Sequence, residues 1–280
     1  MNWRVIRWIL VIILLILNIG LFGYSVYQKR QLYVVPTERI EYVRERFEEW
    51  GYQLPKEISR RQYPKRRLIL EVTDLEDRAN AFWSEDYEKS YMPGSRILYT
   101  CGTQTLTVDR EQSSMVFTEN DPDYQNADTL TDAKVERTAR EQAQSMMNNK
   151  DLILVRVLSD DVGTRIYYFC EKYKDDILFA NRAIITVTYG AVVRASVSQF
   201  TVRGYEDTAY AVYPIDELLY SCLRTLGQAE EGTQLNLNYG YAMAGQEDEV
   251  FYCTPSVWIG KPDGTGLMVD QLTDKSSDLF

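Results

Sequence analysis

The chain has 280 residues, a formal net charge of −10 and no histidine. Without imidazole it lacks the commonest general base and the commonest transition-metal ligand. Its acidity argues against nucleic acid or a bare anionic surface as a partner, and its length suffices for one or two ordinary cores.

Residues 8–27, from Trp8 to Tyr27, carry no charged side chain and are dominated by Ile, Leu and Val. About 20 such residues cross roughly 30 Å of hydrocarbon, and in lipid only a helix satisfies the backbone of a lone segment. Arg4 and Arg7 precede the run, Lys29 and Arg30 follow it, and Trp3, Trp8, Tyr24 and Tyr27 stand where aromatic belts lie. A cleaved signal peptide has a shorter apolar core and small residues at its cleavage site. Here the run ends in Phe22-Gly23-Tyr24-Ser25-Val26-Tyr27, so an uncleaved single span is expected. Residues 1–7 are then a cytoplasmic tail and the rest lies outside the cell membrane, because a long C-terminal part translocates largely regardless of its charge. The first thirty residues hold four positive charges and no negative one, so the net charge of −10 becomes −14 over the rest.

Within the span Asn18 is the strongly polar side chain, and Leu14, Phe22 and Ser25 share its helical stripe. An amide in hydrocarbon gains about 0.6–2 kcal/mol by bonding to a second helix. The stripe is therefore the expected contact with a partner's membrane helix.

Past the span, Pro36-Thr37 opens a helix with Ile40, Val43, Phe47 and Trp50 on one face and Glu38, Glu41, Arg44, Glu45 and Glu48 on the other, and Gly51 ends it. Residues 56–67 are basic: Lys56, Arg60, Arg61, Lys65, Arg66 and Arg67. They read either as a solvated loop paired with nearby carboxylates or as a contact for lipid head groups or wall polymer. A strand over 68–72, a helix over 75–83 and strands over 96–101, 104–109 and 114–118 follow. Residues 120–130 are rich in turn formers and poor in apolar side chains, which marks them as a linker.

Beyond the linker a helix over 131–148 buries Val135, Ala139, Ala143 and Met146. Strands over 152–158, 165–173, 182–189 and 192–202 come next, a second helix begins at Pro214, and strands over 234–243, 249–259 and 267–269 close the pattern. Helix, four strands, helix, three strands is an α+β plan. The expected architecture is thus a membrane helix followed by two extracytoplasmic domains, 28–119 and 131–280, each an antiparallel sheet with helices packed on one face.

No phosphate loop, nucleophile elbow or metalloprotease motif occurs. The carboxylate pairs Asp160-Asp161 and Asp175-Asp176 fall in turns, and Asp216-Glu217 opens a helix, so each has a backbone reason to be there. No enzyme activity, metal or cofactor is expected. Many tyrosines stand on strands (Tyr167, Tyr168, Tyr173, Tyr189, Tyr239, Tyr241, Tyr252); they form either a half-buried sheet face or a platform for glycan or peptide. The latter gives the rival reading of a tethered envelope binding module. Cys101, Cys170, Cys222 and Cys253 could pair or stay as buried thiols.

Several stretches resemble a known family. They are Met1-Asn2-Trp3-Arg4 before one span, the charged helix up to Gly51, residues 179–200 (FANRAIITVTYGAVVRASVSQF), the helix from Pro214 to Leu226, Leu237-Asn238-Tyr239-Gly240-Tyr241 and Thr254-Pro255-Ser256-Val257-Trp258. Together they are similar to the YycH/YycI regulatory membrane proteins of Gram-positive bacteria, with length and domain order nearest the shorter, YycI-type members. The four cysteines and the basic segment depart from the family pattern. The resemblance implies an ectodomain that joins a YycH-like partner membrane protein and engages the sensor histidine kinase of the cell-wall two-component system (WalK/YycG). It also implies that the span touches the kinase's own membrane helices.

Overall fold

A computed structural model describes residues 3–31, 33–83, 86–124, 131–160, 163–247 and 250–277. Residues 125–130 of the expected linker and Asp161 of the first carboxylate pair lie outside the described residues. The chain begins with one uninterrupted helix, α1 (Trp3–Gln31). Its window Arg7–Ser25 has a mean hydropathy of 2.3, and none of that window is buried against the rest of the chain. By length and apolarity it fits a single membrane span or a signal sequence.

The remainder is mixed α+β with a mostly antiparallel sheet. Helix α2 (Thr37–Glu49) buries Ile40, Val43 and Phe47, the expected apolar stripe. It stops at Gly51, whose φ of +89° suits glycine and where a Cβ would sit 2.3 Å from the Ala229 carbonyl oxygen. A short strand β1 (Tyr52–Gln53) follows, then β2 (Lys65–Val72), the helix α3 (Glu76–Asn80), and a meander of β3 (Glu88–Met92), β4 (Arg96–Cys101), β5 (Gln104–Asp109) and β6 (Ser114–Glu119).

Helix α4 (Asp132–Met147) starts at Thr131, whose hydroxyl accepts from the Lys134 N–H at 3.3 Å, and ends at Asn148 in the left-handed region. Strands β7 (Leu152–Ser159), β8 (Thr164–Tyr173), β9 (Asp176–Thr188), β10 (Ala191–Ser198) and β11 (Phe200–Tyr210) come next. They are followed by α5 (Ile215–Leu226), β12 (Thr233–Gln234), β13 (Asn236–Glu247), β14 (Val250–Gly260), β15 (Gly266–Asp270) and β16 (Ser276–Ser277).

Among the described residues, fourteen strands form one sheet whose main path runs β11-β2-β14-β13-β9-β10-β6-β5-β4-β3, while β1 and β12 pair separately. This pairing does not follow the expected division into 28–119 and 131–280. Strand β2, from the first segment, lies between β11 and β14 of the second. The cause is burial: Leu68 and Leu70 are fully buried with Phe200, Tyr241, Phe251 and Cys253, which they could not be within a separate N-terminal unit. At the other end, β6 pairs with β10.

Two cores result. One packs α3 and α4 on the meander and on β8–β10 around Tyr99, Phe117, Phe169 and Ile185. The other lies between α2 and α5 and the C-terminal strands, around Phe47, Leu219, Val257 and Val269. The sheet crosses between these regions at the β13–β9 ladder, which is parallel and spans only Gly240–Ile177 and Tyr241–Leu178. Gly240 permits it, because a Cβ there would fall 2.0 Å from the Ile177 carbonyl oxygen.

Candidate functional site

Leu14, Asn18, Phe22 and Ser25 fall on one stripe of α1, as their spacing of four, four and three dictates, and all four are exposed. The Asn18 amide donates from Nδ2 to the Leu14 carbonyl at 2.9 Å. That back-bond satisfies one N–H and leaves Oδ1 without a partner among the described residues.

Helix α1 ends at Gln31, and by Tyr33 the chain is already bonded to the folded domain. The Gln62 N–H donates to the Tyr33 carbonyl at 2.9 Å, the Val35 N–H donates to the Arg60 carbonyl at 2.9 Å, and Val34 bridges Arg61 in antiparallel fashion. Tyr33 and Tyr63 rings lie 5.6 Å apart. Helix α2 then begins at Thr37, whose hydroxyl accepts from the Arg60 guanidinium.

The basic segment therefore folds back onto the residues that follow α1, and its members divide. Arg60 is spent on Thr37. Arg67 forms two 2.8 Å hydrogen bonds with Glu206 and lies 4.6 Å from the Tyr252 ring centre. This pairing holds the Glu206 carboxyl below the usual carboxylate range. Arg66 is exposed, while Arg61 and Lys65 line a cavity. Lys65, Arg66 and Arg67 belong to β2 and not to a loop, because the Lys65–Tyr210 and Arg66–Ala209 pairings extend the ladder past the apolar run.

That cavity, of about 350 Å³, is lined among others by Arg61, Gln62, Lys65, Asp176, Tyr239 and Gln271. Lys65 Nζ is 3.9 Å from Asp176 Oδ1. Gln62 Oε1, the Tyr239 hydroxyl and Gln271 Oε1 are buried there without a hydrogen-bond partner among the described residues. Gln271 is only 6% exposed, and its backbone is held by the Pro255 carbonyl and the Tyr213 N–H, both at 2.8 Å. Burial pushes the Tyr239 phenol up to about 12; the Ser59 backbone amide acts in the opposite sense and stands outside hydrogen-bond geometry.

A second cavity, of about 470 Å³, opens between α2 and α5 beside Arg39, Tyr42, Asp216, Glu217 and Tyr220. One Arg39 nitrogen is 2.5 Å from Asp216 and 2.8 Å from Glu217. Asp216 is buried, and its Oδ1 has no partner among the described residues. Sequence reasoning accounts for this pair by the helix dipole alone. Its cationic partner stands some 180 residues earlier, where no local pattern points to it.

The strand tyrosines are largely taken up by the chain itself. Tyr167 stacks on Phe169, Tyr168 lies under Arg156, Tyr173 meets Tyr205, Tyr241 is buried below Lys65, and Tyr252 lies under Arg67. Tyr189 stays partly exposed against Tyr124. The four cysteines are free, and Cys170, Cys222 and Cys253 are buried. Among the described residues no group of three or more Cys, Asp or Glu is placed to hold a metal.

No family model matches the sequence and no curated protein is similar to it, so the YycH/YycI resemblance rests on the residues quoted for it. Solved structures that are similar at low identity include the following two. An uncharacterized protein from Eubacterium rectale ATCC 33656 superposes with a TM-score of 0.48 at 8% identity, covering 81% of this chain and 89% of its own. The Bacillus megaterium YpeB C-terminal domain gives 0.43 at 10% identity, covering 75% of this chain and 99% of its own.

Proposed function

We propose that the protein is a non-enzymatic, membrane-anchored regulator of a cell-wall two-component sensor histidine kinase, working with a YycH-like partner membrane protein. In this reading α1 is an uncleaved span with its N-terminus in the cytoplasm, and both α1 and the ectodomain touch the kinase. The observation that carries it is how soon after α1 the chain is bonded into the folded domain. Only residue 32 separates α1 from Tyr33, where bonding to the folded domain begins. A mere tether needs no such splice, whereas a regulator must pass a displacement of its ectodomain to its membrane helix. The exposed Asn18 stripe gives that helix something to bind with.

A regulator shifts a two-state kinase only by binding one state better than the other. A few-fold change in activity needs about 1–3 kcal/mol of such coupling. The rival reading, a tethered glycan- or peptide-binding module, relies on strand tyrosines that are mostly covered by Lys and Arg side chains of the same chain.

Asn18→Leu removes the one amide from the stripe. An interhelical amide bond of about 0.6–2 kcal/mol corresponds to roughly 3- to 30-fold in affinity, so co-purification of the kinase from membranes should fall by that order while the ectodomain keeps its circular dichroism. Undiminished co-purification would remove the helix contact from the mechanism.

A further inference from the structure

The cavity beside the α1 junction presents an unusual set of demands. Two amide oxygens, Gln62 Oε1 and Gln271 Oε1, need donors, and the Tyr239 hydroxyl needs a partner. Leaving such groups buried and unpaired is costly. Next to them stand two cations, Arg61 and Lys65, against one carboxylate, Asp176, in a protein whose overall charge is −10. A bare phosphate would answer the cations, but its one or two P–OH donors fall short of the two amide oxygens and the phenol together. A neutral polyol would answer the oxygens and leave the cations. One chemistry meets both: an anionic phosphoryl group that carries hydroxyls.

We infer that this cavity binds a glycerol-phosphate-type group, with the phosphoryl oxygens on Arg61 and Lys65 and the hydroxyls on Gln62, Tyr239 and Gln271. Such a group has two sources, a phosphatidylglycerol head group or a soluble or polymeric glycerol phosphate. If α1 is a span, both are in reach. Arg61 pairs with Val34, nine residues past Ser25 at the end of the apolar window. Six helical residues, and the longest reach three more could have, bound its distance from the hydrocarbon edge at about 20 Å. The inference goes beyond the regulatory reading, and its test involves no kinase.

The full-length chain in neutral detergent is titrated calorimetrically with sn-glycerol 3-phosphate, glycerol and inorganic phosphate. The same chain in nanodiscs of equal phosphatidylglycerol and phosphatidylcholine is examined by native mass spectrometry for retained lipid. Soluble glycerol phosphate binding at least tenfold tighter than phosphate or glycerol supports the site and a soluble source. Tenfold selective retention of phosphatidylglycerol without soluble binding supports the site and a lipid source. Either signal should drop at least tenfold in Arg61→Gln/Lys65→Gln, whose changes lie at the cavity's rim, and at least threefold in Tyr239→Phe. Selectivity in neither arm, phosphate binding as tight as glycerol phosphate, or indifference to the double variant overturns the proposal.

Discussion

Cys170 and Cys253 are pushed up to about 12 and Cys222 to about 11, in each case chiefly by burial, from an ordinary value near 9. The thiolate is the reactive form, so at pH 8 these three present on the order of one part in 10³–10⁴ of it. Cys101 is free and only half-buried, so a reagent can reach it. A maleimide at pH 8 should therefore label the native protein at one site and the denatured protein at four, as counted by intact mass. Rapid labelling of a second site would contradict the burial described. The same shifts have a linkage sign. The folded state keeps these thiols neutral, so the stability they supply is fully present below about pH 9 and is lost as pH rises through 11–12. Sequence alone left pairing and free thiols both open, since spacing carries no information on which strand faces meet.

At the scale of elements, the sheet crosses between its two regions through two residue pairs of β13 and β9. Gly240→Ala would drive a methyl group into the Ile177 carbonyl, and such overpacking costs roughly 1–3 kcal/mol. A lowered urea midpoint with an unchanged slope is the expected reading; an unaltered midpoint would mean that the ladder yields freely. Most elements are legible in the sequence because their apolar period is clear, as in Ile40, Val43 and Phe47 of α2 or Ile185 and Val187 of β9. Strand β11 is not, since its register shifts twice, after Val202 and after Tyr205, and each shift breaks the period of two. The start of β2 is hidden for another reason: Arg67 looks like a solvent-facing residue until Glu206, Tyr210 and Tyr252 are brought beside it.

For the molecule as a whole, the place of β2 decides which pieces can stand alone. A fragment of residues 131–280 keeps β11 and β14 but lacks the strand between them, exposing the apolar surface that Leu68 and Leu70 cover. It should show little near-ultraviolet dichroism and should aggregate, whereas residues 33–280 should unfold in one cooperative transition. A sharply folded 131–280 fragment would argue for two independent domains after all. No local pattern announces this partnership, because a strand's apolar alternation tells which face is buried and not which neighbour buries it. The cavity by the junction is illegible for the same reason, as Gln62, Asp176, Tyr239 and Gln271 come from four distant stretches. The interleaving also sets a schedule. On a ribosome adding about 5–20 residues per second, the stretch at 65–72 emerges roughly 10–35 seconds before the last of its partners at 251–253. Until β11 at 200–210 emerges, Leu68-Ile69-Leu70 has no native neighbour, and until β14 follows it has one of its two, so the nascent stretch must be shielded or kept extended in the meantime.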